Sequence, residues 1–214
     1  MKHLAAFSLL SALSYPAASL ATELTFGGTV AITSNYLSDG LSETGNRPAL
    51  QFQAEVGANG FYANIFASQV KDDAGNAASL DLSAGYRAEL ATAAGYDIGI
   101  TQSFRNVTRN DGAEIYGSLY YPVSDRLTLT AEASYDLAEK TFGGNLGADF
   151  AATDTWALTA VAGQTDPQAS PFWGLGVSHD LSATTSVALD YQDTSSTEAV
   201  YALTLNYTFG RGGE

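Results

Sequence analysis

The stretch LDLSAGYRAEL, residues 80–90, decides the fold class of this chain. Apolar or aromatic side chains occupy its even positions, and polar, charged or glycine residues occupy its odd positions. Such a period of two is typical of a β-strand, because successive side chains of a strand point to opposite faces. The same alternation recurs in residues 96–105, 127–137 and 200–209 without a competing helical period. The sequence therefore predicts an all-β fold.

Turn-forming residues separate these alternating segments, as at Asn59-Gly60 and at residues 72–76 and 110–112. Their spacing suits strands of ~9 to 11 residues, which is the length that crosses a bilayer at a tilt. Counting the segments predicts a transmembrane antiparallel up-and-down β-barrel of about 12 strands, with both termini on one side. The longest connection, residues 37–48, is expected on the outer side of the membrane.

Residues 1–21 have the pattern of a secretory signal peptide. Lys2 precedes an apolar run at residues 4–13, and small residues lead to an expected cleavage point after Ala21. The alternative is a membrane anchor, but this run is much shorter than the ~20 residues that a spanning helix needs. We therefore expect an exported protein in which residues 22–214 form the barrel in the outer membrane.

The composition excludes several functional classes. Asp and Glu number 23 against 9 Lys and Arg, which gives a formal net charge of −14. A chain this acidic repels phosphates, so we expect no nucleic-acid partner. Cysteine is absent, which excludes disulfides, thiolate metal sites and cysteine nucleophiles. The pattern predicts no metal site and no cofactor.

Alternation alone does not separate a membrane barrel from a soluble one, because the two differ only in which face points inward. Twelve strands, however, enclose a lumen too wide for the small apolar side chains of this chain to fill. The apolar face is therefore expected to point outward, into lipid. Aromatic residues near strand ends predict interfacial rims, with Phe26, Phe61, Tyr96, Trp156 and Phe209 at one rim and Tyr36, Phe104, Tyr135, Phe142, Trp173 and Tyr191 at the other.

The last strand predicts two partners. It alternates aromatic and polar residues and ends at Phe209, which resembles the C-terminal signal of outer-membrane proteins. We therefore expect the barrel-assembly machinery to bind this strand, and outer-membrane lipids to surround the folded barrel.

Four short motifs carry a family resemblance: Ser34-Asn35-Tyr36, Gly40-Leu41-Ser42, Pro48-Ala49-Leu50-Gln51 and Gly60-Phe61-Tyr62-Ala63-Asn64. With them the chain resembles the TorF-type porin family, which was first catalogued as a bacterial family of unknown function. The family's usual arginine before the glycine is Asp39 here, and its usual glutamine after the serine is Glu43. The resemblance implies an outer-membrane β-barrel.

The inward face of the predicted strands supplies the candidate site residues. Nine acids face two bases there: Glu55, Asp81, Glu89, Asp97, Glu114, Glu132, Asp136, Asp149 and Asp190, against Arg87 and Arg105. So few bases leave most acids unpaired, which favours a water-filled lumen. The leading hypothesis is a passive channel for small hydrophilic solutes or ions that prefers cations. Within it, Asp81 and Asp97 are expected to contribute most to selectivity, because they lie near Arg87 and Arg105.

Two alternatives stay open at this point. The first is a closed structural or surface-interaction barrel that uses its outer loops and transports nothing. The second is an enzyme at the rim acting on lipid, for which Ser178-His179-Asp180 is the one superficial triad. Consecutive residues of a strand point to opposite faces, so His179 cannot contact both neighbours. We therefore predict no enzymatic activity.

Overall fold

The computed structural model describes residues 24–90 and 94–211. The predicted signal peptide, residues 1–21, lies outside the described residues, so its cleavage stays a prediction. Within the described residues, no helix is long and apolar enough to cross a membrane. Those residues form fourteen strands: β1 (Thr25–Thr33), β2 (Leu37–Ser38), β3 (Leu41–Ser42), β4 (Ala49–Ala58), β5 (Phe61–Gln69), β6 (Ala78–Glu89), β7 (Gly95–Arg105), β8 (Arg109–Ser124), β9 (Leu127–Asp136), β10 (Phe142–Ala151), β11 (Trp156–Gln164), β12 (Phe172–Ser182), β13 (Thr185–Thr194) and β14 (Val200–Arg211).

Twelve of the described strands, β1 and β4–β14, close into an antiparallel barrel in which each strand pairs with its neighbours in sequence. Strand β1 closes the ring because it pairs on both sides: Val30 lies opposite Phe52 of β4 and Tyr207 of β14. The two short strands β2 and β3 form a separate ribbon. The prediction of an all-β, up-and-down barrel of about 12 strands is therefore confirmed.

The outer surface of the barrel is apolar and its interior is polar. Outward Leu146 and Ile98 expose 66% and 57% of their surface, whereas inward Asp97 and Ser118 each expose only 5%. A soluble barrel has the opposite arrangement, because contact between apolar side chains and water is unfavourable and such side chains are buried inside. An apolar exterior of this extent suits lipid.

The barrel has a turn end and a loop end. The turn end holds tight connections such as Asn59 and Gly60, whose positive φ angles of 54° and 84° suit the two-residue turn of a hairpin. Both β1 and β14 begin or finish at this end, so the described termini lie together, as expected from an even strand number. The loop end holds the longer connections, of which residues 34–48 form the loop that we call L1.

Aromatic rings pair at both ends of the barrel. At the turn end, Phe61 lies 4.8 Å from Tyr86, and at the loop end Tyr135 lies 4.6 Å from Phe142, both measured between ring centroids. Tyr36 is an exception, and its predicted place at a rim is wrong. It exposes only 4% of its surface and packs inside the barrel against Phe66 because L1 folds inward.

Candidate functional site: the lumen of the barrel

The inward side chains divide the lumen into two halves. We call strands β4–β9 the ion-paired half and strands β10–β14 with β1 the small-residue half. Inward positions of the ion-paired half carry large or charged side chains, including Glu55, Tyr62, Arg87, Asp97, Tyr116, Tyr120 and Glu132. Inward positions of the small-residue half are mostly small, including Gly147, Thr159, Gly174, Gly176, Ser178, Ala188, Ala202 and Thr204.

Arg87 is the centre of the ion-paired half. Its guanidinium binds Glu55 through two hydrogen bonds of 2.9 Å each, and its Nε lies 3.3 Å from Asp97 Oδ2. The pairing with Asp97 follows from the strand register, which places the two residues directly opposite each other on β6 and β7. The guanidinium also lies over the ring of Tyr62, 4.0 Å from its centroid. Two predicted lumen acids are thus neutralised by one base.

Two tyrosines cover the wall beside this cluster. Tyr62 Oη donates a 2.7 Å hydrogen bond to Asp97 and forms a second hydrogen bond with Tyr116 Oη. The rings meet although two strands separate them, because Gly85 and Gly99 leave room. A Cβ at residue 85 would lie 2.6 Å from Tyr62 Cζ, and one at residue 99 would lie 2.6 Å from Tyr116 Cζ. These glycines are therefore needed for the tyrosine pair.

Other predicted lumen acids of this half also have polar partners. Glu132 accepts hydrogen bonds from Ser118 Oγ at 2.9 Å and from Asn145 Nδ2 at 3.1 Å. Asp136 Oδ1 accepts the backbone N–H groups of residues 138 and 139, at 2.6 and 2.8 Å, and so caps the turn after β9. Glu114, opposite Asp136 in the register, is buried with 8% exposure. These carboxylates hold the wall and a loop together.

The remaining members of the predicted set lie near the two ends. Arg105 pairs with Glu43 of L1 at 3.1 Å and with Asp111 at 3.0 Å, near the loop end. Asp81 is partly buried on β6, whereas Glu89 is exposed at the turn end. The alternation did not show which acids have basic partners.

The small-residue half borders a cavity of about 310 Å³. The cavity extends from Tyr36 and Leu37 of L1 to Thr184 in the turn after β12. Its lining is rich in hydroxyl, amide and carboxylate groups, among them Thr33, Gln51, Thr159, Ser178, Asp180, Gln192, Thr204 and Asn206. Within the part of the chain that the structure describes, no Lys or Arg lines this cavity.

Asp149 and Asp190 are the predicted site residues that line the cavity. The register places them in one row across four strands, in the order Asp149, Thr159, Gly176 and Asp190. Gly176 leaves space for the second carboxylate, since a Cβ at residue 176 would lie 2.6 Å from Asp190 Oδ1 and would also meet Thr159 Oγ1. Both carboxylates therefore line the same cavity in one row of paired residues, with a hydroxyl and a glycine between them.

L1 folds into the lumen at the loop end. Its ribbon of β2 and β3 turns at Asp39 and Gly40, whose φ angles of 52° and 83° suit a two-residue hairpin turn. Gly40 N donates a 2.9 Å hydrogen bond to Gln192 Oε1 of β13. A Cβ at residue 40 would lie 2.9 Å from Phe172 Cβ, so the tip is pressed against the wall of the small-residue half.

Asn35 organises the interior of L1. Its side-chain oxygen accepts hydrogen bonds from Ser42 Oγ at 2.5 Å and Thr44 Oγ1 at 2.9 Å, and its Nδ2 donates to Asn46 Oδ1 at 2.9 Å. These bonds satisfy polar groups that the inward fold removes from bulk water. The ribbon of L1 therefore lies inside the barrel at the loop end, because side chains within L1 and on the wall supply hydrogen-bond partners there. The outer-side location of this loop stays a prediction.

Asp39 is the acid that L1 brings into the lumen. Burial raises its pKa to about 8, and the negative charges of Glu114, Glu43 and Glu132 add to this increase. A hydrogen bond of 3.1 Å from Ser38 Oγ acts in the opposite direction. Asp39 retains part of its surface exposed to the lumen. The carboxyl group is consequently protonated near neutral pH while L1 is in place.

His179 lies outside the lumen. Its ring stacks on Trp156 at the turn end, 4.3 Å between centroids, and Nδ1 lies 3.1 Å from the carbonyl oxygen of Thr155. Ser178 and Asp180 point the other way and line the cavity. The three consecutive residues do not form a triad, as their alternation predicts.

Sequence reasoning missed the difference between the two halves. The signal was present in the size of the inward residues, which are large on β5–β9 and small on β10–β14. It also missed Gln192 and Asn35, because only contacts between distant segments reveal their roles.

Comparison with known sequences identifies a family but no curated relative. Residues 17–211 match the profile of Gcw_chp, described as a bacterial protein of unknown function. No curated protein matches the chain.

Solved porin structures share the fold. The KdgM porin superposes with a TM-score of 0.68 at 11% identity, covering 86% of this chain and 99% of that one. The KdgM porin in complex with disordered oligogalacturonate gives 0.67 at 10% identity, with the same coverage of 86% and 99%. The NanC porin gives 0.52 at 9% identity, covering 88% of this chain and 100% of that one. Identities this low establish the common barrel fold.

Proposed function

The chain belongs to the Gcw_chp family of bacterial proteins of unknown function, and we propose that it is an outer-membrane channel. In this proposal small hydrophilic solutes and ions diffuse passively through the lumen, cations are preferred, and no reaction is catalysed. The porin-like fold and the porin resemblance of its motifs support this function. The TorF-type designation itself stays a prediction.

One observation carries the proposal: a closed barrel with an apolar exterior encloses a polar cavity of about 310 Å³. An apolar exterior is stable in lipid, and a polar interior is stable in contact with water. A closed barrel leaves no backbone hydrogen bond unpaired at a sheet edge. A membrane protein with a hydrated interior agrees with all three properties: the apolar exterior, the polar cavity and the closed sheet.

The proposed cation preference rests on the charge of the lining. Carboxylates beside an aqueous path lower the energy of a passing cation and raise that of an anion. Asp149, Asp180 and Asp190 line the cavity without a basic residue among the described lining. The oligogalacturonate bound to the KdgM porin is a polyanion by its chemistry. Because the lining of this chain carries carboxylates without a described base, we propose a cationic solute for it.

The proposed location follows from the same reasoning. Export through a cleaved signal peptide would deliver residues 22–214 to the periplasm, and the barrel-assembly machinery would insert them into the outer membrane. Phe209 at the turn end is the expected recognition residue, and it lies near Phe26 and Phe52, with ring centroids 6.0 and 6.3 Å away. Outer-membrane lipids would then cover the exterior.

Conductance in planar bilayers tests the function directly. We expect purified, folded protein to form channels whose reversal potential in a KCl gradient indicates preference for K⁺. Unboiled protein should also migrate differently from boiled protein on gels, because a closed barrel resists denaturation by detergent. An anion-selective channel would contradict the proposed preference.

A closed structural or surface-interaction barrel is the second candidate. The position of L1 across the loop end favours it, because Gly40 and Glu43 tie the loop to opposite sides of the wall. The same bilayer experiment separates the two functions: a protein that is heat-modifiable yet never conducts is a closed barrel.

A further inference from the structure

We infer that Asp149 and Asp190 determine the charge selectivity of the lumen, and that its preferred organic solutes are small hydroxylated cations. This inference rests on the proposed channel function and names the residues and the solute class that the function leaves open. The sequence alone led us to expect the largest contribution to selectivity from Asp81 and Asp97 in the ion-paired half. We now assign it to two acids of the small-residue half.

The acids of the ion-paired half that contact a base are partly balanced in charge. Arg87 contacts both Glu55 and Asp97, and Arg105 contacts both Glu43 and Asp111. A passing cation near any of these acids also approaches a guanidinium, which opposes its attraction. These acids therefore contribute less to selectivity than their number suggests.

One row of paired residues across four strands contains Asp149, Thr159, Gly176 and Asp190. Three strand spacings separate the two acids, which corresponds to about 14 Å along the wall. Both carboxylates face the same cavity, and the described lining contains no base to oppose them. A cation in this cavity is consequently attracted by both carboxylates.

The remaining lining of the cavity is rich in polar groups. Thr33, Ser178, Thr204 and Asn206 present hydroxyl and amide groups to the cavity. Such groups both donate and accept hydrogen bonds, so they can replace water around a hydroxylated solute. Carboxylates beside hydroxyl and amide groups match a sugar-like molecule that carries an ammonium group.

Ion selectivity tests the residues. The double variant Asp149→Asn/Asp190→Asn keeps side-chain size and removes both charges. In ~0.01 M KCl, where the Debye length of ~30 Å keeps screening weak, each neutralisation should lower the K⁺ to Cl⁻ permeability ratio about threefold, the effect of one charge ~6 Å away in water. Arg87→Met/Glu55→Gln in the ion-paired half is the matched control, because it removes one base together with an acid that it contacts; it should change the ratio less than either single variant.

Solute selectivity tests the class. Reversal potentials in gradients of glucosamine hydrochloride and of sodium glucuronate compare a hydroxylated cation with a hydroxylated anion of similar size. We expect wild-type protein to pass glucosamine more readily than Cl⁻, and to pass glucuronate much less readily than Na⁺. The Asp149→Asn/Asp190→Asn variant should lose most of the glucosamine preference, whereas Arg87→Met/Glu55→Gln should retain it.

The outcomes separate this inference from the function on which it rests. A folded protein that never conducts overturns the channel proposal. A conducting channel whose selectivity is unchanged in the Asp149→Asn/Asp190→Asn variant, or is altered equally by Arg87→Met/Glu55→Gln, overturns the assignment to Asp149 and Asp190. Faster glucuronate than glucosamine permeation overturns the solute class. If the double variant fails to fold, the single variants Asp149→Asn and Asp190→Asn each carry the same test.

Discussion

The two halves of the barrel have similar exteriors and different interiors. Outward Ile100 in the ion-paired half and Leu146 in the small-residue half are both exposed and apolar. Inside, Arg87 contacts two carboxylates and a tyrosine ring. Asp190, in contrast, lines the cavity, and Gly176 on the neighbouring strand leaves space for its carboxylate. Lipid surrounds the whole barrel, so every strand must present apolar side chains on its outer face. The lumen does not require a uniform lining, so charged and bulky side chains can be concentrated on one side of it.

This difference shows why a count of inward charges is a poor measure of selectivity. The alternation assigns nine acids and two bases to the inward face, and each of the two bases contacts two acids. Acids that contact a base or accept hydrogen bonds from the wall stabilise the barrel, and acids that line the cavity without a base among its described residues are available to a solute. Register and loop packing decide which acids belong to which group.

The largest expected effect concerns the shared exterior. Leu146→Arg and Ile100→Arg should each lower the free energy of unfolding by ~2 to 4 kcal/mol, because both place a cation near the middle of the bilayer. Urea unfolding in lipid vesicles measures the change, and Leu146→Val is the control. Similar losses in both variants support a uniform lipid face. Wild-type stability in either variant would mean that the substituted residue points into the lumen and not into lipid.

The second effect should differ between the halves. Arg87→Met leaves Glu55 and Asp97 without their base, and we expect a loss of about 2 to 3 kcal/mol in unfolding free energy. The loss is below that of a fully buried pair because the Arg87 side chain retains 23% exposure. Asp190→Asn should change stability by less than ~0.5 kcal/mol. Adding Glu55→Gln to Arg87→Met should restore part of the stability.

Equal losses in Arg87→Met and Asp190→Asn would remove the distinction between the two halves. The same unfolding experiment in vesicles gives both values, so no separate reference protein is needed.

The third effect concerns pH and the position of L1 between the halves. Burial raises the pKa of Asp39 to about 8 from an ordinary value of 3.8. Between these two pH values the Asp39 carboxyl group is protonated when L1 is docked in the lumen and ionised when L1 is free. Docking therefore weakens as pH rises from about 4 to about 8 and then levels off. Above that range the ionised carboxylate also faces Glu43, Glu114 and Glu132.

We expect the open fraction of single channels to be higher at pH 8.5 than at pH 5. Asp39→Asn should remove most of this dependence, because an amide does not titrate. An unchanged pH response in Asp39→Asn would assign the effect to other lumen acids.

The smallest effect concerns the tip of L1. Gln192→Ala removes the acceptor of the Gly40 N–H, and one hydrogen bond of this kind contributes about 1 kcal/mol. We expect a several-fold larger open fraction of single channels, as 1.4 kcal/mol corresponds to a tenfold change. Asn206→Ala is the control, because Asn206 lines the cavity at the turn end. Identical gating in both variants would show that Gln192 does not hold the loop.

Most of the barrel could be predicted from the sequence. Alternation in residues 80–90 shows the two faces of β6, and the turn at Asn59 and Gly60 fixes the hairpin of β4 and β5. Strand number follows from counting such segments. The candidate site was predicted only in part, because alternation shows that Asp97 and Asp190 point inward but not that Arg87 lies beside only one of them.

What the sequence by itself determined is local: which residues form strands and which face of each strand is apolar. These properties depend on neighbours two positions apart along the chain. The tertiary structure alone decided the register that pairs Arg87 with Asp97, the row that aligns Asp149 with Asp190, and the inward fold of L1 against Gln192. Each of these depends on contacts between segments far apart in sequence, and such contacts exist only once the barrel has closed.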